Sequence, residues 1–142
     1  MSDKLQQVKA LLRGIRTDDE QYQVLRQQLE QQRLCMIRRD SDALLALNEQ
    51  IMQHYEQLSA SSKERHALLQ TLGVSVDHQG IETVFNWLPA AQQQAAKTWW
   101  SELESHAKQC KTYNEKNGDL LMRQYEFVQS FLGTESDFLY QP

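Results

Sequence analysis

Four histidines, two cysteines and a scatter of carboxylates are the groups in this chain that could bind a metal, activate a nucleophile or move a proton. A helical metal site needs ligands one turn apart. His54, His66, His78 and His106 have no such spacing among themselves, and no HExxH occurs. The pairs His54/Glu56 and Glu64/His66 are i, i+2 and face different sides of a helix, as do Glu102 and Glu104. Cys35 and Cys110 lie far apart with no CxxC, which predicts buried or half-buried thiols in a reducing compartment. The glycines are scattered, so no loop is built to cradle a phosphate. No catalytic, metal or cofactor site is expected, and the chain is not expected to be an enzyme.

The polar residues that do form a pattern are Asn114, Asn117 and Gly118. Two asparagines at i, i+3 on the apolar side of a helix must find hydrogen bonds or leave costly unsatisfied amides. A glycine beside them permits close approach or a bend, at a cost of about 1 kcal/mol relative to alanine. The cluster therefore serves either to fix helix register or as a hinge.

The elements that position this cluster follow from composition. With two prolines and five glycines in 142 residues, the chain favours long helices over the many turns of an all-β fold. Leu5, Val8, Leu12, Ile15, Tyr22, Leu25, Leu29 and Met36 recur at helical spacing in a first helix over about 3–37. Thr17-Asp18-Asp19-Glu20 has the form of a capping box, where this helix would kink or restart; a nearly continuous helix is expected. A tight turn at Arg39-Asp40-Ser41-Asp42, with Asp40 or Ser41 as cap, leads to a second helix, 42–72, with Leu44, Leu47, Ile51, Tyr55, Leu58, Leu69 and Leu72 on one side and Gly73 as its stop. Ser62 and Arg65 interrupt that side, which predicts weak or wet packing there. A short helix, 81–88, would present Ile81, Val84, Phe85 and Leu88 as an end plug. The last helix, 89–132, starts at Pro89 and carries Ala96, Trp99, Leu103, Ala107, Cys110, Asn114, Asn117, Leu121, Gln124, Val128 and Phe131 in a near-heptad repeat. The expected fold is all-α: an elongated antiparallel three-helix bundle or coiled coil in one domain, 1–132, with a flexible tail, 133–142.

Helix lengths add a geometric expectation. The first two helices match and can form a hairpin. A last helix starting level with Gly73 draws level with the Asp40 turn near residue 121, and its remaining turns overhang by roughly 15 Å. They carry Tyr125, Phe127, Val128 and Phe131. An apolar helix end without cover points to a protein partner.

Asn114-x-x-Asn117-Gly118-x-Leu120-Leu121, followed by Gln124, Phe127 and Phe131, resembles the C-terminal signature of FlgN-type flagellar export chaperones. Arg39-Asp40-Ser41-Asp42-Ala43-Leu44, with the helix ending Leu68-Leu69-x-x-Leu72-Gly73, is similar to the first hairpin of that family. The resemblance covers roughly residues 20–132. It implies a non-catalytic cytoplasmic chaperone for bacterial flagellum assembly. Such a protein binds the C-terminal segments of the hook–filament junction proteins FlgK and FlgL and delivers them to the type III export apparatus at the membrane. By the same resemblance, Leu121, Gln124, Tyr125, Val128, Phe131 and Leu132 bind the substrate protein, and Leu139-Tyr140 docks on the export gate component FlhA.

The alternative reading is a structural coiled-coil or adaptor protein that homodimerises through the second half of its last helix, using Tyr125, Val128 and Phe131. The net charge of −4, all of it arising in residues 73–142, gives no electrostatic reason to expect nucleic acid or anionic membrane as a partner. Arg33, Arg38 and Arg39 are the one basic cluster, and a solvated helix end accounts for it. No apolar run approaches the ~20 residues of a membrane span, and the N-terminus lacks a signal-peptide apolar region. Membrane insertion is not expected.

Overall fold

The computed structural model describes residues 2–140, with side chains from Asp3 to Glu126. The elements are α1 (Ser2–Arg38), α2 (Ser41–Thr71), α3 (His78–Asn86) and α4 (Ala90–Tyr140). This is the expected all-α bundle of three long helices and one short one. No element among the described residues is a strand.

Local chemistry sets the boundaries. At the end of α1, Arg39 adopts φ 56. The Arg39 N–H donates to the Met36 carbonyl and the Asp40 N–H to the Cys35 carbonyl, which satisfies two orphan acceptors of the last turn. Asp40 then caps α2, its side chain accepting from Ala43 N–H at 3.2 Å. At the end of α2 the same closure recurs with Gly73 at φ 78, where Val74 N–H reaches the Leu69 carbonyl and Gly73 N–H that of Gln70. Asp77, itself held by the Ser75 hydroxyl at 2.6 Å, caps α3 through Gly80 N–H at 3.0 Å. This cap starts α3 three residues earlier than the apolar pattern alone suggested. Gly80 is obligatory, because a Cβ there would collide with the Ser75 backbone carbonyl.

Cross-helix bonds give the topology. Gln28 pairs with Gln50, Gln32 with Asn48, and Arg65 with Asp18, so α1 and α2 run antiparallel. α4 runs parallel to α1, and α1 packs against both other long helices. Two apolar clusters fill the interior. One joins Val8, Leu11, Ile15 and Leu69 to Ile81, Val84, Phe85, Ala96 and Leu103, so α3 closes this end of the bundle as expected. The other joins Leu25, Leu29, Leu47, Ile51, Leu58 and Cys110.

Between the two clusters lies a polar layer. The Arg65 guanidinium meets the buried Asp18 carboxylate at 2.8 Å, and the His106 ring meets the Asp19 carboxylate. α1 therefore passes through Gly14 and Thr17 without a break. Asp18 and Asp19, the two residues inside the capping-box pattern, are used laterally, to tie α1 to its two neighbours. The interruption expected near Arg65 is real in that the layer is ionic rather than apolar.

Candidate functional site

The distal half of α4 is positioned by a repeating hydrogen-bond ladder. The Cys110 thiol donates to the Tyr22 carbonyl at 3.2 Å, the Asn117 amide to the Leu29 carbonyl at 2.7 Å, and the Gln124 amide to the Met36 carbonyl at 2.9 Å. Each step is one heptad on both helices, so the sequence offset of 88 is constant along the ladder. Equal steps on two parallel helices are what a coiled-coil seam produces. Burial pushes the Cys110 thiol up to about 11, which keeps it protonated as a donor at neutral pH. Asn117 also donates to Gln32 Oε1 at 2.9 Å and is 3% exposed.

The ladder fixes where cover ends. The same offset sets Arg38, the last residue of α1, level with Glu126, while α4 continues to Tyr140. At 1.5 Å per residue, α4 outruns α1 by about 20 Å. α4 stays helical past 132 to Tyr140, in place of the flexible tail expected from 133 onward; no proline lies between Pro89 and Pro142 to end it.

Asn114 and Asn117 have different surroundings. Asn117 is buried, whereas Asn114 is exposed. Three residues of helix turn a side chain by about 300°, so one member of an i, i+3 pair can face the seam while the other flanks it. Asn114 thus departs from the single stripe expected of the sequence. Gly118 is exposed, a Cβ there would meet nothing within 4 Å, and α4 runs unbroken through it. It makes no close helix approach.

Of the residues predicted to bind a substrate protein, Gln124 turns inward on Met36, while Leu121 and Tyr125 lie outward, 54% and 58% exposed. Met122 beside them is 57% exposed. The expected roles of Val128, Phe131 and Leu132, and of Leu139 and Tyr140, fall on side chains outside the described residues. The apolar strip begins alongside the last step of the ladder, with Leu121 level with Arg33; the Asp40 turn is reached near residue 128, later than the 121 expected from helix lengths. Close to that point, a groove of about 280 Å³ opens at the hairpin tip among Cys35, Met36, Arg39, Asp40, Ser41, Leu44 and Gln124. Sequence reasoning missed this groove. Its signal was Leu44 and Met36 flanking a two-residue turn, which brings both helix ends to one place.

The chain matches the family model described as FlgN protein over residues 1–134, nearly its whole length. It belongs to the FlgN family. No curated protein and no solved structure matches it. Membership implies the role of a flagellar export chaperone, in a family not known for enzymatic activity. Among the described residues, no group of three or more His, Cys, Asp or Glu side chains is placed to hold a metal ion. None of the helices described is long and apolar enough to cross a membrane.

Proposed function

We propose that this FlgN-family chain binds the C-terminal segments of the junction proteins FlgK and FlgL on the distal part of α4 and hands them to the type III export apparatus. The observation that carries the reading is the outward apolar face of α4 beside the last turns of α1. Leu121, Met122 and Tyr125 are each more than half exposed at the end of the ladder that binds α4 to α1. An apolar helical strip is a ready groove-side for an amphipathic helix. A partner segment that orders only on binding gives up part of its interaction energy to that ordering, which keeps the complex releasable for export.

The proposed surface comprises Leu121, Tyr125, Val128, Phe131 and Leu132, with Gln124 at its inner edge. Asn117 holds α4 in register, so that the surface starts at a fixed height above the hairpin. Leu139-Tyr140 follows on the same helix and is the proposed contact for FlhA. The proposed place of action is the cytoplasm, transiently at the membrane-embedded gate.

Titration of the full chain with synthetic C-terminal peptides of FlgK and FlgL tests the proposal. Binding is expected for the native chain and loss of binding for L121D/Y125D, with the helical circular-dichroism signal retained. Undiminished binding by the double variant would overturn the assignment of the surface. If the strip instead joins two copies of this chain, sedimentation will show a concentration-dependent dimer that the same substitutions dissolve.

A further inference from the structure

The geometry points to the hairpin tip as the receptor for the free α-carboxylate of the bound segment, an inference that rests on the proposed function. A C-terminal segment, whatever its sequence, ends in one carboxylate. The tip carries donors that can bind it. Arg38 and Arg39 are exposed there, and Arg33 stands one turn back on α1, level with Leu121 by the constant offset. None of the three makes an ion pair among the described residues, whereas Arg26 and Arg65 do and Arg16 lies over the Trp99 ring. Arg39 lines the groove whose apolar wall is Met36 and Leu44 and whose α4 side is Gln124. Asp40 also lines it, its carboxylate accepting from Ala43 N–H as the α2 cap, and Asp42 follows in the first turn of α2, so the arginines would hold an incoming carboxylate by directed hydrogen bonds and not by net charge.

Guanidinium groups bind a carboxylate in a planar, charge-assisted fork, and an adjoining apolar pocket takes the side chain of the final residue. The positive φ of Arg39 turns the backbone sharply between the two helix ends, and Arg39 lines the groove at that turn.

This placement sets the polarity of the complex. α4 leaves the tip at Gln124 and climbs toward Tyr140. A segment lying on its apolar strip with its C-terminus at the tip runs antiparallel to α4. Antiparallel packing also sets the dipoles of the two helices in opposition.

Two measurements on the full chain test this. First, a junction-protein peptide with a free C-terminus is compared with the same peptide amidated. Amidation is expected to weaken binding by about tenfold, the scale of one charge-assisted hydrogen bond. In R38Q/R39Q the two peptides should bind equally. Second, Cys35 lines the tip groove and serves as a native probe. A cysteine at the last position of the peptide should form a disulfide with Cys35 under mild oxidation, while one at its first position should not. Equal binding of acid and amide by the native chain, or cross-linking from the first position, would overturn the inference and leave the proposed function standing. No binding of either peptide would sink both.

Discussion

The two ends of this bundle are built from similar apolar residues and finished in opposite ways. At one end α3 folds across the helices and places Ile81, Val84 and Phe85 against Leu11, Ile15 and Leu69, all essentially without solvent contact. At the other, α1 and α2 meet in a two-residue turn and α4 runs on past it, with Leu121, Met122 and Tyr125 already in water just before that turn. The closed end stabilises the fold, and the open end keeps apolar surface available. The ionic layer of Asp18, Arg65, Asp19 and His106 separates the closed-end cluster from the seam that leads to the open end. Leu121, Met122 and Tyr125 stand level with Arg33, Leu34 and Ile37 by the constant offset, so their exposure comes from the face of α4 they occupy, away from the α1 seam.

The contrast is tested most strongly by truncating one aromatic at each end. Phe85→Ala should lose about 3–5 kcal/mol in chemical denaturation, because a fully buried ring leaves a cavity. Tyr125→Ala should change stability by less than about 0.5 kcal/mol while weakening binding of the junction-protein peptides. If the two substitutions destabilised equally, the open end would be part of the core.

A sharper version compares the asparagines. Asn117→Ala removes the donor to Leu29 and Gln32 and should cost about 1–3 kcal/mol, whereas Asn114→Ala should be nearly neutral because Asn114 is exposed. Denaturant midpoints of the two variants decide this.

The ladder also predicts a pH effect. The unfolded thiol of Cys110 titrates near 9.0 and the folded one near 11. Its contribution is complete below pH 9 and is lost as pH rises toward 11, where the folded chain resists releasing a proton that the unfolded chain gives up. Stability measured across that window should fall less in Cys110→Ala than in the native chain. Gly118 offers a test in the stabilising direction. Gly118→Ala should gain about 1 kcal/mol with peptide affinity unchanged, since the added methyl meets nothing. A gain in stability with a loss of affinity would instead reveal a hinge.

Features that depend on neighbouring residues were legible in the sequence. Gly73 as the stop of α2, Asp40 as its cap, the Ile81/Val84/Phe85 face and the breaker-poor long helices all follow from local sterics and spacing. Features that depend on which residues meet across helices were not. Asp18 and Asp19 look like helix-start signals until Arg65 and His106, far away in sequence, are brought to them. Leu11 is buried although Leu12 fits the 3–4 pattern equally well, because two packing helices divide the face of α1 between them.

The family signature, the all-helical class and the element order were written in the sequence, because helix propensity, caps and apolar periodicity act over a few residues. Tertiary structure alone chose the offset of 88 between α1 and α4. That offset set Gln124 on Met36 at the last turn of α1, turned Asn117 inward while Asn114 stayed in water, and fixed where the uncovered strip begins. The physical reason is that register between helices is selected by the sum of many weak cross-helix contacts, with the three ladder bonds among them, and no local stretch of sequence contains that sum.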